Sequence, residues 1–166
     1  VTEQPQSRRL AIGQLLSNLM RLFRAELAAR GQDSTGVESI RPAHFQVFAI
    51  IKADGTRLTD LAEWAGMSLS AMAELVDGLE QLGYVERRPD PSDGRAKLVC
   101  LTDSGWRAIK EGQRLISQLE RDWGAALGSD RFESLCLELQ ALLDVLDPTV
   151  RERYAAAPAA SRGPGS

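Results

Sequence analysis

The apolar period of this chain changes only once, and that change limits the folds open to it. Up to Leu82 and again after Thr102, hydrophobic residues recur at three- and four-residue steps. Between them lie two β-prone runs, Tyr84-Val85-Glu86-Arg87-Arg88 and Arg95-Ala96-Lys97-Leu98-Val99-Cys100-Leu101. They flank the turn-forming cluster Pro89-Asp90-Pro91-Ser92-Asp93-Gly94. Two such runs around a Pro/Asp/Gly cluster predict a β-hairpin, with Gly94 supplying an unusual backbone angle. A single hairpin set among helices predicts a mostly α protein with one small β element.

The helices on either side specify the hairpin's neighbours. A short helix with Leu58, Leu61, Ala62 and Ala65 inward, capped by Thr59 or Thr56, runs to Gly66. After the Gly66-Met67 turn, another opens at Ser68 or Ser70 and places Met72, Leu75, Val76, Leu79 and Leu82 inward until Gly83. Two short helices joined by a glycine-containing turn form a helix-turn-helix, and a hairpin directly after it is a wing. The predicted architecture is a winged helix-turn-helix.

Upstream, Ile12, Leu15, Leu16, Leu19, Leu22, Phe23 and Leu27 form the stripe of a first helix ended by Gly31. A polar loop then leads to Pro42, which opens a helix carrying Phe45, Val47, Phe48, Ile50 and Ile51 toward Asp54-Gly55. Downstream, Thr102-Asp103-Ser104-Gly105 caps a long fifth helix broken near Gly128, and a sixth, with Phe132, Leu135, Cys136, Leu139, Leu142, Leu143 and Leu146 in one stripe, closes at Pro148. The expected organisation is a flexible arm over 1–9, one domain over 10–147, and a disordered tail over 148–166 rich in Ala, Pro, Gly and Ser. Within the domain, 42–101 form the winged lobe. The segments 10–30 and 102–147 are more apolar than a compact winged domain requires, which predicts a helical homodimer interface through Leu15, Leu19, Leu139, Leu142, Leu143 and Leu146.

Composition excludes several classes of function. One histidine, His44, and two distant cysteines, Cys100 and Cys136, fall short of a zinc or other metal site. No G-x-S-x-G or comparable nucleophile signal accompanies His44, so neither an enzyme nor a cofactor is expected. Both cysteines are expected to be buried and inert. No apolar run has the length of a membrane span and no secretory leader is evident, which predicts a cytoplasmic protein. The formal net charge of −3 gives no bulk attraction to nucleic acid, so DNA binding requires a locally basic surface.

Three segments carry a family resemblance when taken together: Leu75-Val76-Asp77-Gly78-Leu79-Glu80-Gln81-Leu82-Gly83-Tyr84-Val85-Glu86-Arg87, Asp90-Pro91-Ser92-Asp93-Gly94-Arg95, and Leu101-Thr102-Asp103-Ser104-Gly105. The chain closely resembles the MarR family of bacterial transcriptional regulators over about residues 10 to 147. The resemblance implies a homodimer that reads a pseudo-palindromic double-stranded operator. The helix matching Ser68 to Leu82 would enter the major groove and the wing would reach the minor groove, with Arg95 matching the family's wing-tip arginine. It also implies regulation, usually repression, by a small aromatic or anionic effector bound between base and lobe.

On these residues Arg95, Arg87, Arg88 and Lys97 form the candidate phosphate and minor-groove surface. Ser70, Ala71, Glu74, Asp77 and Gly78 face away from the apolar stripe, toward base edges. Ser68 and Ser70 serve as helix cap, phosphate contact or both. The family's frequent arginines at the positions of Glu74 and Gly78 are missing, and Glu74 is either a reader of the cytosine amino group or a bystander. Arg24, His44, Phe45, Phe48 and Trp64 are the candidate effector-binding residues. The acidic reading helix motivates one alternative, a winged-helix protein-interaction module without DNA binding.

Overall fold

A computed structural model describes residues 9–32 and 39–155, so most of the expected N-terminal arm and the tail from 156 onward lie outside the described residues. Helix α1, Ile12–Gln32, is tied to the base through its C-terminal half. There Leu27 is buried, Phe23 meets Trp123 edge to face at 6.3 Å, and Arg30 donates to Asp122 at 2.8 Å.

Pro42 opens a 3-10 turn, Pro42–His44, that runs into α2, Phe45–Ile50, whose Val47, Phe48 and Ile50 enter the core. A two-residue strand, β1 (Thr56–Arg57), stands where the sequence predicted only a helix cap. The cap expectation fails for a clear reason. Thr56 pairs with Val99 and its hydroxyl accepts from the Lys52 N–H at 2.9 Å, while Thr59 already lies inside α3, Leu58–Trp64. The N-terminus of α3 therefore has no side-chain cap.

Gly66, with φ +62°, makes the turn into α4, Leu69–Gln81. Ser68 caps α4 by accepting from the Ala71 N–H at 3.2 Å, and the helix buries Met72, Val76 and Leu79. Gly83, φ +76°, then releases the chain into the hairpin of β2, Val85–Asp90, and β3, Asp93–Leu101. The antiparallel sheet has the order β1-β3-β2, which leaves Pro89 on an edge strand where its missing N–H is harmless.

Gly94 does not supply the turn's special angle: the positive-φ residues among those described are Gly55, Gly66, Gly83 and Gly128. The turn is held instead by Asp90, whose carboxylate accepts from the Ser92 N–H at 2.8 Å and the Ser92 hydroxyl at 2.6 Å. A short side chain that bonds its own backbone two residues on does the work assigned to glycine.

Thr102 joins the sheet to the base. Its hydroxyl donates to the Gly83 carbonyl at 2.6 Å and accepts from the Gly105 N–H at 3.1 Å, capping α5, Asp103–Leu127. Gly128, φ +97°, turns the chain into α6, Ser129–Leu146, which buries none of its residues within the chain. The expectation of a disordered tail from 148 fails over its first residues, since α7, Val150–Ala155, packs against α2 and α6 with Val150 buried. Val150 finds an apolar site on the lobe, which the Ala/Pro-rich composition further on concealed. Among the described residues no helix is long and apolar enough to cross a membrane.

Candidate nucleic-acid interface

The outward side of α4 and the hairpin form one continuous surface, but the charges on it are arranged differently from the sequence expectation. Arg87 does not reach outward. Its guanidinium bonds Asp77 at 2.6 Å and also pairs with Glu80, both on α4. This clamps β2 to α4 and offsets one of the two negative charges that Asp77 and Glu80 place there. Arg88, one residue on, emerges on the opposite face of the strand and is held by Glu86 at 2.8 Å through its Nε.

By strand alternation Arg95 and Lys97 share the face of β3 that carries buried Val99, the face turned toward α4. Both are exposed, and neither forms an ion pair with a described residue. Asp93 bonds the backbone N–H of Arg95 at 3.1 Å and leaves the guanidinium to solvent. The four wing cations predicted together therefore separate into two outward-facing cations, one clamp and one local pair.

Sequence reasoning missed Arg57. From β1 it donates to the Asp90 carboxylate through Nε at 2.7 Å and approaches Asp93 at 3.8 Å, bracing the hairpin turn from across the sheet. The Ser92 hydroxyl, then the Ser92 N–H and the Arg57 guanidinium, hold the Asp90 carboxyl down at about 2. The sequence signal was the Thr56-Arg57 pair itself, too short to register as a strand.

On α4, Ser70 and Glu74 are exposed and Ala71 half-buried. Glu74 has no ion-pair partner among the described residues, whereas Asp77 is engaged by Arg87. Gly78 departs from expectation, because a β-carbon there would point inward to within 3.3 Å of His44 Nε2. Its side therefore belongs to the packing against the 3-10 turn and not to the outer surface. The Ser68 hydroxyl serves as the helix cap and lies 3.3 Å from that of Ser70.

Behind this surface a cavity of about 540 Å³ opens between α1, α2, α5 and the end of α3. Arg24, Phe45, Phe48 and Trp64 line it as expected, joined by Gln46 and Tyr154, which the sequence did not single out. His44 does not line it. It is buried, its Nδ1 accepts from the Arg41 N–H at 3.2 Å, and its other nitrogen faces Gly78. Burial, and secondarily Arg41, lower the His44 pKa. The ring is thus held beneath α4, with Nδ1 bonded to the chain that enters the 3-10 turn.

The six leucines predicted at a dimer interface are not core residues of one chain. Leu15 is half-buried; Leu19, Leu139, Leu142, Leu143 and Leu146 are exposed. Ile12, Leu16 and Val145 extend the exposed apolar surface. Cys100 is buried, and burial pushes its thiol up, but Cys136 is exposed, contrary to expectation. Its stripe on α6 faces away from the chain's own core. Among the described residues no cluster of His, Cys, Asp or Glu is arranged to hold a metal ion.

A family model described as MarR family matches residues 39–96, the segment from the end of the polar loop through the wing turn. The multiple antibiotic resistance protein MarR of Escherichia coli is 30% identical over 106 residues, 63% of this chain and 74% of that protein. The chain belongs to the MarR family. The transcriptional activatory protein BadR of Rhodopseudomonas palustris, also similar, is 29% identical over 98 residues, 57% of this chain and 53% of its own. The chain spans about half the length of BadR and of a Mycobacterium leprae regulator, 53% and 54%.

The crystal structure of reduced MarR from E. coli superposes with a TM-score of 0.72 at 24% identity, covering 82% of this chain and 99% of that one. The repressor CouR, solved on a 23-mer DNA duplex, gives 0.65 at 23% identity, covering 80% and 92%. These likenesses show that this MarR-family chain has the winged-helix fold of those structures.

Proposed function

We propose that this MarR-family chain is a dimeric, sequence-specific DNA-binding regulator that represses by occupying a promoter and is released by a small aromatic or anionic effector. One observation carries the DNA reading: Arg95 and Lys97 extend from the wing on the side of α4, both exposed and without an ion pair to any described residue. Cations so placed are available to phosphates and to a narrow minor groove, while α4 presents Ser70, Ala71 and Glu74 to the major groove. The relation to CouR, a repressor solved with DNA bound, supports the same reading. Ser68, Arg87 and Arg88 stand behind it, as cap, clamp and local pair.

Dimerisation follows from the base. A leucine-rich α6 with no fully buried residue in its own chain requires a second apolar surface, and a second copy supplies one by two-fold symmetry. Symmetry then sets two winged lobes against two half-sites of a pseudo-palindrome about one helical turn apart. The cavity combines aromatic walls with the cation Arg24, which suits a phenolic acid.

The alternative, a protein-interaction module that has lost DNA binding, rested on an acidic reading helix. The Arg87 clamp weakens it, because one guanidinium engages both Asp77 and Glu80 and halves their combined charge within the fold. The deciding experiment is a fluorescence-anisotropy titration of the protein against its own upstream intergenic DNA, followed by an operator selection from random sequence. Specific, salt-sensitive binding supports the regulator, and failure of both arms hands the reading to the interaction module.

A further inference from the structure

The chain passes between the helical base and the winged lobe after α1 and again at Thr102, and α7 adds a further contact between them. The helix leaves the end of α6, and its Arg151 grips Asp144 of α6 with two hydrogen bonds, from Nε at 2.8 Å and from the terminal nitrogen at 2.6 Å. Gln140 donates to the same carboxylate at 2.8 Å, which fixes the grip on the base. On the other side Val150 is buried and α7 packs on α2, a lobe helix. Tyr154, one turn beyond Val150, forms part of the wall of the 540 Å³ cavity while remaining half-exposed at its mouth.

We propose that α7 is a strap that ties the helical base to the winged lobe across the mouth of the cavity, with Tyr154 as its ligand-facing residue. The ligand-facing role rests on the effector reading above; the tether does not. A cavity of this size holds a single aromatic ring with room to spare, so a bound phenolic acid sits beneath Tyr154 without expelling it. Ligand binding and strap docking then stabilise each other, as linkage requires of two events that share a surface. The position of the lobe on the base is coupled to occupancy through the same short helix.

Hydrogen exchange of the full chain, read over α2, α4 and α7, tests the tether without ligand. Arg151 is exposed, so Arg151→Ala leaves the core intact. It is expected to speed exchange in both α7 and α2 about twofold to fivefold, with α4 unchanged. Faster exchange in α7 with none in α2 would overturn the strap. Calorimetric titration with 4-hydroxybenzoate tests the ligand-facing role. Tyr154→Ala should bind about fivefold more weakly than the natural chain, and α7 of the natural chain should exchange more slowly when the acid is present. Equal affinity would remove Tyr154 from the ligand wall. Absence of binding by the natural chain would refute the effector reading and with it the role of Tyr154, and the exchange measurement then judges the tether alone.

Discussion

The charge pattern of the wing separates two arginines that look alike in sequence, and salt dependence is the measurement that tells them apart. Each phosphate neutralised by a protein cation contributes about 0.9 to the slope of log affinity against log salt. Arg95 is exposed and forms no ion pair with a described residue, so the proposed dimer would carry two such contacts, one per wing. Arg95→Ala should lower the slope by about 1.8. Over a fourfold rise in salt this is about a twelvefold difference in how steeply affinity falls. Arg87 is already held by Asp77 and Glu80, so Arg87→Ala removes no phosphate contact. It should lower the slope less than Arg95→Ala does, weakening binding mainly at low salt, where repulsion between the two released carboxylates on α4 and the duplex is least screened. Anisotropy titrations of both variants at four or more salt concentrations provide the comparison. Equal loss of slope in the two variants would show that Arg87 leaves its clamp to meet phosphate, and would refute the division of labour drawn from the wing.

Three further outcomes are expected. Gly105→Ala should destabilise the fold by about 1–2 kcal/mol, since a β-carbon there meets the Tyr84 carbonyl oxygen and lies 3.0 Å from Leu101 Cδ2, outweighing the helical gain from alanine; thermal unfolding should show a fall of about 2–8 °C. His44 has a folded pKa below its ordinary value of 6.5, so the unfolded chain binds the extra proton first. Stability should therefore be complete above about pH 6.5 and decline as pH falls below it, and urea titrations of His44→Gln should show this dependence flattened. Leu142→Glu places a carboxylate in the exposed leucine surface of α6, and sedimentation velocity should report a monomer that keeps its helical circular dichroism.

The helices, the reading turn and the wing were legible because each rests on local physics. A 3.6-residue apolar period, Ser68 and Thr102 as caps, and a Pro/Asp cluster between β-prone runs need no distant partner. What escaped the sequence depends on pairing across the fold. Thr56-Arg57 becomes a strand only because β3 lies beside it, and α7 forms where Val150 meets the lobe. The site followed the same division. Arg95 and Lys97 were legible as wing cations, whereas the Arg87 clamp spans 10 residues to Asp77 and has no local signature. His44 and Cys136 show opposite errors of burial: an imidazole taken for a cavity wall is packed beneath α4, and a thiol in an apolar stripe faces outward because that stripe leaves the chain's own core.

The contact between His44 and Gly78 also bears on which positions of α4 can take a larger side chain. A mutation that gave position 78 an arginine would not simply add a base-reading side chain, because its first carbon would start 3.3 Å from a buried ring nitrogen. The imidazole would have to give by a few tenths of an ångström, loosening its bond to the Arg41 N–H at the start of the 3-10 turn. Position 78 is therefore resisted from beneath, whereas position 74 is exposed and takes a longer side chain without that shift.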